Sequence, residues 1–202
     1  MDVSGHLLLG AMWILWCTLH SAFISQTFTR WQERTFPRFS RFSRIAYNLF
    51  SLITFGVVYW YYRTLPSPTL WAWPEAWVYL QYLLLAAGGI IILLGAREYN
   101  QRYFLGIEQL EGTSTASGKG LKASGILRHL RHPYYTGGII ILAAWGDFTW
   151  ASIISKAVLI GYLIIGTFIE ERKLLDEFGD EYREYMRRTP RFFFRLTKTP
   201  AG

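Results

Sequence analysis

Two short polar segments hold most of the residues whose types and spacing could do chemistry. In the first, Arg131, His132 and Pro133 come just before Tyr134 and the apolar run 139–145. Pro133 suits the first turn of a helix, where its missing N–H is not needed. An arginine and a histidine at the start of a helix favour the binding of an anionic group. The first segment therefore predicts an anion site at the water edge of a membrane helix.

The second segment begins with Glu170 and Glu171, at the end of the apolar run 150–169. Acidic residues near the C-terminus of a helix are unfavourable to the helix dipole. Glu171 shares a helical face with Leu174 and Phe178, which points it inward. A carboxylate held there invites a cationic ligand. The alternative is a solvated helix end, in which the glutamates pair with nearby cations.

Together the two segments offer a pair of cations for a carboxylate, a pair of carboxylates for an amine or a sulfonium, and tyrosines that can stack on a base. S-adenosylmethionine carries all of these groups. His129 and His132 could share a helical face as metal ligands, but no Cys, Asp or Glu lies close in sequence to complete such a site. S-adenosylmethionine therefore matches the two segments as a cofactor, and the sequence predicts no metal.

The composition places the chain among membrane proteins. Of its 202 residues 51% are hydrophobic and only 17% are charged, and the uncharged runs are long. The net charge of +7 could indicate a nucleic-acid partner, but the cations sit at the ends of apolar runs rather than along one soluble face. The sequence therefore predicts the lipid bilayer as a partner and no nucleic acid.

Five apolar runs predict an all-α, polytopic membrane protein. The last two are separated by the turn Gly146-Asp147 and predict a helical hairpin, followed by a cytoplasmic tail. We expect a single membrane domain over residues 1–202, with three spans in 1–96 and the cofactor-binding part in 97–202. The five runs are residues 5–24, 45–65, 76–96, 134–145 and 150–169.

The placement of arginines predicts the orientation. The segment 25–44, which is predicted to be a loop, carries five arginines, whereas the segment 66–75 has no Lys or Arg. By the positive-inside rule the basic segments are cytoplasmic, so the N-terminus is outside and the C-terminus inside. Both polar segments then face the cytoplasm in a multi-pass protein of the cell membrane.

The two polar segments together form a bipartite signature. One half reads Arg-His-Pro-x-Tyr-x-Gly, and the other reads Glu-Glu-x2-Leu-x3-Phe-Gly-x-Glu-Tyr-x2-Tyr. At this separation the pair resembles the integral-membrane methyltransferases typified by isoprenylcysteine carboxyl methyltransferase and the related phospholipid methyltransferases. The matching positions are Arg131, His132, Pro133, Tyr135, Gly137, Glu170, Glu171, Leu174, Phe178, Gly179, Glu181, Tyr182 and Tyr185.

Shorter motifs in the N-terminal half are similar to the bacterial methanethiol S-methyltransferase branch of these enzymes. One departure precedes Arg131, where Gly125-Ile126-Leu127 lacks the aromatic residue that these families often have. The motifs are His20-Ser21, Arg44-x2-Tyr47-Asn48 and the run 104–109.

The resemblance implies an S-adenosylmethionine-dependent methyltransferase whose site is built from the last two spans and the tail. Its acceptor would be lipophilic, or a small thiol or carboxylate. The implied catalytic residues are Arg131, Glu171 and Arg191. The two arginines would orient the carboxylate of the acceptor or the cofactor. The implied cofactor contacts are His132, Tyr135, Gly137, Glu170, Glu171, Tyr182 and Tyr185.

Two other function classes stay open. One is a membrane reductase that binds a nicotinamide cofactor on a related scaffold. The other is a non-catalytic accessory protein or a small transporter, although a transporter is expected to have its polar residues near mid-membrane. The sequence leaves open the acceptor, the oligomeric state and which of Glu170 and Glu171 faces the cofactor.

Overall fold

The fold is almost entirely helical in the computed structural model, which describes residues 2–113 and 120–192. Two very short strands pair antiparallel, with Thr69 opposite Thr149. The helices are α1 (Val3–Ile24), α2 (Gln26–Thr35), α3 (Ser43–Thr64), α4 (Glu75–Glu98), α5 (Gln101–Leu105), α6 (Ile107–Glu111), α7 (Pro133–Ala144), α8 (Trp150–Phe178) and α9 (Asp180–Arg188), with 3-10 turns at Pro37–Phe42 and Gly125–Arg128 and the strands β1 (Thr69–Trp71) and β2 (Phe148–Thr149).

Among the described residues, four helices, α1, α3, α4 and α8, are long and apolar enough to cross a membrane. The 22 residues of α1 reach about 33 Å, slightly more than the roughly 30 Å hydrocarbon core of a bilayer. The prediction of an all-α polytopic membrane protein is therefore confirmed. The fifth predicted span is α7, whose 12 residues reach only about 18 Å. It forms the short arm of the predicted hairpin.

Part of the basic segment 25–44, which the sequence analysis treated as a loop, is helical. The side chain of Ser25 accepts a hydrogen bond from the Phe28 backbone N–H and so caps α2. Aromatic side chains recur at helical spacing along α2, as at Phe28 and Trp31. The helix has no buried residue, so the charges that suggested a loop lie on its exposed surface.

The chain divides into two compact units. The described part of unit 1 comprises residues 2–73, 100–113 and 146–159. Its core joins Leu9 and Trp13 of α1 to Val58 of α3 and Ala151 of α8. The indole Nε1 of Trp13 donates a hydrogen bond of 2.8 Å to the Ser155 hydroxyl, so this core has a polar contact at its centre.

Unit 2 comprises, in its described part, residues 74–99, 120–145 and 160–192. Its helices α4 and α7 approach closely because glycines lie at their contact. A Cβ added at Gly137 would lie 2.5 Å from the Gly88 carbonyl oxygen, and one added at Gly95 would lie 3.0 Å from the Pro133 ring. A Cβ added at Gly89 of the same helix α4, by contrast, would have nothing within 4 Å.

We expect the Gly137→Ala variant to be about 1–3 kcal/mol less stable than the wild type, because overpacking of a tight contact forces the backbone to move. Gly89→Ala is the matched control, since it adds the same methyl group to open space. Thermal melting of the detergent-purified proteins measures the difference. Equal melting temperatures for the two variants would show that the contact between α4 and α7 is looser than described.

Candidate active site

The candidate site of unit 2 is built around the start of α7. Pro133 is the first residue of the helix and His132 its N-cap. The backbone N–H of Thr136 donates to the His132 carbonyl, which closes the first turn. Arg131 and His132 are therefore held just outside the helix, with the side chain of His132 almost fully buried.

The Glu171 carboxylate is the centre of a buried ion network, with a side chain only 3% exposed. Its Oε1 accepts hydrogen bonds from Arg131 Nε at 2.9 Å and from Arg191 Nε at 3.2 Å. Oε1 also lies 3.1 Å from His132 Nε2, and Oε2 accepts from Arg191 Nη2. One carboxylate thus binds two guanidinium groups, which neutralise its negative charge within the protein.

Arg131 binds the C-terminal segment, which comprises α9 and residues 189–192, to the start of α7. Its Nη1 donates to the carbonyl oxygens of Met186 and Thr189, both at 2.8 Å. Its backbone N–H donates to the Pro190 carbonyl at 3.0 Å. Because its nitrogens are shared between Glu171 and these carbonyls, Arg131 acts as a structural link.

The tyrosines of α9 strengthen the same attachment. The Tyr185 hydroxyl donates to the Leu127 carbonyl at 2.6 Å, and burial raises its pKa to about 12, so the proton that it donates is retained. Tyr182 is 1% exposed, and its ring centroid lies 5.7 Å from that of Tyr185. Burial raises the pKa of Tyr182 as well. Both residues pack inside unit 2.

Arg191 differs from Arg131 because part of its guanidinium has no partner. Its Nε and Nη2 bind Glu171, but Nη1 makes no hydrogen bond within the described ranges 2–113 and 120–192. The guanidinium carbon lies 3.8 Å from the centroid of the Phe168 ring, and the side chain is 22% exposed. Arg191 therefore has a donor left for an anionic ligand.

Glu170 lies in a different environment from Glu171. Its side chain is 38% exposed, and Oε2 lies 3.6 Å from His132 Nδ1. Tyr99 and Tyr135 lie near this carboxylate. A carboxylate beside aromatic rings is an arrangement that attracts cations.

The tyrosines around Glu170 come from three helices or helix ends. Tyr134 packs on Tyr99 with ring centroids 5.4 Å apart. The ring of Tyr135 lies against α8 at Gly166, where an added Cβ would be 3.0 Å from the ring. Tyr162 is also near Tyr135. Every aromatic side chain in this group lies in unit 2.

The structure thus brings together the two predicted polar segments, and it separates the predicted residues into two groups. His132 and Tyr135 lie beside the part-exposed carboxylate of Glu170. Gly137, by contrast, lies against α4. The predicted residues that link the C-terminal segment to the rest of unit 2 are Arg131, Glu171, Tyr182, Tyr185 and Arg191.

Sequence reasoning missed Tyr99, Tyr134 as a partner of Tyr99, and Tyr162. A signal for Tyr162 was present, because Tyr162, Gly166 and Glu170 follow each other at intervals of four and so share one face of α8. Tyr99 stands directly after α4 with no local motif, so its role follows only from the tertiary structure.

No group of three or more His, Cys, Asp and Glu side chains that could hold a metal ion occurs in the part of the chain that the structure describes. The two histidines near the start of α7 do not form such a group. The site's charges instead come from arginines and glutamates.

Comparison with known proteins supplies a family context. The NnrU protein family model matches residues 7–192. No solved structure matches the chain.

Several curated relatives are bacterial methanethiol S-methyltransferases. Methanethiol S-methyltransferase 1 of Bradyrhizobium diazoefficiens is 26% identical over 178 residues, which cover 86% of this chain and 61% of that protein. The Mycobacterium tuberculosis enzyme is 29% identical, with coverages of 83% and 69%. The Crocosphaera subtropica enzyme is 25% identical, with coverages of 85% and 68%. The chain therefore spans about three fifths of the first of these relatives.

Proposed function

Because the chain belongs to the NnrU protein family, we propose that it is an integral-membrane methyltransferase that uses S-adenosylmethionine. The acceptor in this proposal is a small thiol, or a lipophilic thiol or carboxylate. The single observation that carries the proposal is the part-exposed Glu170 carboxylate, bordered by tyrosine rings and by His132. The names of the curated relatives support methyl transfer as the reaction class.

The residues of unit 2 fit the chemical groups of the cofactor. Glu170 offers a negative charge to a sulfonium or an amine, and the neighbouring tyrosine faces add cation–π attraction. The unpaired Nη1 of Arg191 offers a charge-assisted hydrogen bond to a carboxylate. Aromatic side chains such as Tyr99 are available for stacking on a purine. When bound, S-adenosylmethionine supplies a methyl group that its sulfonium has already activated.

The protein's own residues then act mainly by positioning. In our proposal Glu171 is a positioning residue, because its carboxylate holds Arg191 and Arg131 in place. Arg131 keeps the C-terminal segment closed over the start of α7 through the Met186 and Thr189 carbonyls. Such a closed site aligns the reacting groups and excludes water, which are the main requirements when the methyl group is already activated.

The experiment that tests the proposal compares cofactors first. Calorimetric titration of the detergent-purified protein should give binding of S-adenosylmethionine and none of NADPH. Transfer of a labelled methyl group is then measured to methanethiol, to a prenylcysteine carboxylate and to a lipid amine. Binding of NADPH instead would favour a membrane reductase. Binding of neither cofactor would favour an accessory protein or a transporter.

The orientation is part of the same proposal, since a cytoplasmic site has access to the soluble cofactor. The five arginines of residues 25–44 and the absence of Lys and Arg from 66–75 support an orientation with the N-terminus outside and the C-terminus inside. Thr35 and Ala72 are both exposed, so cysteines placed there should react readily. In a Cys17→Ser background, we expect an impermeant maleimide to label Ala72→Cys in intact cells and Thr35→Cys only after the cells are opened. The reverse pattern would contradict the proposed orientation.

A further inference from the structure

A cleft with aromatic and polar walls lies in unit 1 and shares no residue with the proposed methyltransferase site. Its volume is about 290 Å³, close to the lower end of the roughly 300–1,000 Å³ that small-molecule sites occupy. It is formed where α1 ends and α3 begins, together with α2 and residues of α5 and α6. Its walls combine aromatic and polar side chains, among them Phe23, Phe28, Gln32, Arg44, Phe50 and Gln109.

Arg44 is the cation of this cleft. Its Nε donates to the Phe104 carbonyl at 3.2 Å. Its guanidinium carbon lies 5.4 Å from the centroid of the Phe104 ring and 6.0 Å from those of Tyr47 and Tyr103. The terminal nitrogens Nη1 and Nη2 have no hydrogen-bond partner among residues 2–113 and 120–192. The aromatic rings thus hold a guanidinium in place while two of its nitrogens are left for a ligand.

Another polar side chain that lines the cleft also lacks part of its hydrogen bonds. The side-chain Nε2 of Gln109 donates to the Tyr103 carbonyl, but its buried Oε1 has no partner in the described structure. The Tyr47 hydroxyl lies 2.8 Å from His20 Nε2, which fixes the ring at the cleft wall. The cleft is therefore preformed and presents both donors and an acceptor.

The surroundings of the cleft are basic and lie at the end of two membrane helices. Its helix α2 and the following 3-10 turn carry exposed Arg30, Arg34, Arg38 and Arg41. Glu33 also lines the cleft, but it is the only acidic residue of the segment 25–44, against five arginines. Basic residues at the end of a span attract anionic lipid head groups. The exposed aromatic side chains Trp31 and Phe39 suit the same interface.

From these observations we propose that the unit 1 cleft binds an anionic phospholipid of the bilayer. The phosphate is held by the free nitrogens of Arg44, a head-group hydroxyl is held by Gln109, and an acyl chain lies along Phe23, Phe28 and Phe50. This site is independent of methyl transfer, so its test is a binding measurement. It also gives a use to Arg44 and Tyr47, which belong to a sequence motif that the unit 2 site does not include.

The test is native mass spectrometry of the detergent-purified full chain with phosphatidylglycerol and phosphatidylcholine of identical acyl chains. We expect the wild type to retain one phosphatidylglycerol more tightly than phosphatidylcholine. Arg44→Gln should weaken the phosphatidylglycerol complex by about tenfold or more, the usual effect of losing a charge-assisted contact. Arg34→Gln is the matched control, because it removes an equal charge from the exposed surface of α2 outside the cleft.

A second variant keeps the test valid if the Arg44→Gln protein does not fold. Gln32→Glu adds a negative charge to the cleft wall without removing a side-chain contact of the described structure, and Thr35→Glu adds the same charge on the exposed side of α2. Only Gln32→Glu should weaken phosphatidylglycerol binding strongly. Equal losses in Gln32→Glu and Thr35→Glu, or equal wild-type binding of the two lipids, would overturn the proposal. Competition by glycerol phosphate, which has the head group without acyl chains, would assign the cleft to a free phosphate compound and would overturn it too.

Discussion

Replacing Glu171 with glutamine should cost the protein about 3–5 kcal/mol of stability, the usual effect of removing one partner from a buried ion pair. The carboxylate is 3% exposed and neutralises Arg131 and Arg191. A neutral amide would leave the buried Arg131 and the part-exposed Arg191 without a counter-charge. The attachment of the C-terminal segment, which these two arginines make, should be the first part of unit 2 to open.

Thermal melting in detergent measures this loss, and limited proteolysis after α9 reports the opening of the segment. Glu170→Gln is the matched control, since it is the same substitution one residue earlier on a side chain that is 38% exposed. Adding Arg191→Gln to Glu171→Gln should recover part of the stability, because one of the two uncompensated cations is then removed. A Glu171→Gln variant that melts like Glu170→Gln would show that the network does not stabilise the fold.

The Glu170→Gln variant should bind S-adenosylmethionine about tenfold to a hundredfold more weakly than the wild type, with little change in melting temperature. The expected loss corresponds to about 1.5–3 kcal/mol for one charge-assisted contact. Glu170 is assigned this role under the proposed function because Glu171 already has its charge neutralised by two arginines, whereas the Glu170 carboxylate is part-exposed beside Tyr135.

Calorimetric titration of the cofactor into the purified variants checks this expectation. Glu177→Gln is a suitable control, because Glu177 is an exposed glutamate of the same helix α8. If Glu170→Gln and Glu177→Gln bound the cofactor as tightly as the wild type, the cation would have to be held elsewhere, and the assignment of Glu170 would be wrong.

Most of the fold follows from hydropathy. The predicted run 5–24 is observed as Val3–Ile24, and the run 76–96 as Glu75–Glu98, because a bilayer demands some twenty apolar residues in a row. The run 150–169 continues as one helix to Phe178. The sequence did not predict α2, because a membrane helix is recognised by its apolar run and α2 contains no such run. Its aromatic residues alternate with arginines along an exposed surface.

The sequence could predict which residues form the site, but not which of them pair with each other. The types of Arg131, His132, Glu170 and Glu171 indicated a charged site, and all four side chains do meet. Which glutamate is neutralised depends on Arg191, whose contacts follow from the attachment of the C-terminal segment to residues about sixty positions earlier in the chain. Such a distant contact leaves no periodic pattern in the sequence.

The dependence of Glu171 on Arg191 also has a temporal side during biosynthesis. Arg191 follows Glu171 by twenty residues, so at about 5–20 residues per second it leaves the ribosome a few seconds at most after Glu171. All four membrane-crossing helices are made before it. The ion network around Glu171 can therefore form only after the residues of all four of these helices have been made.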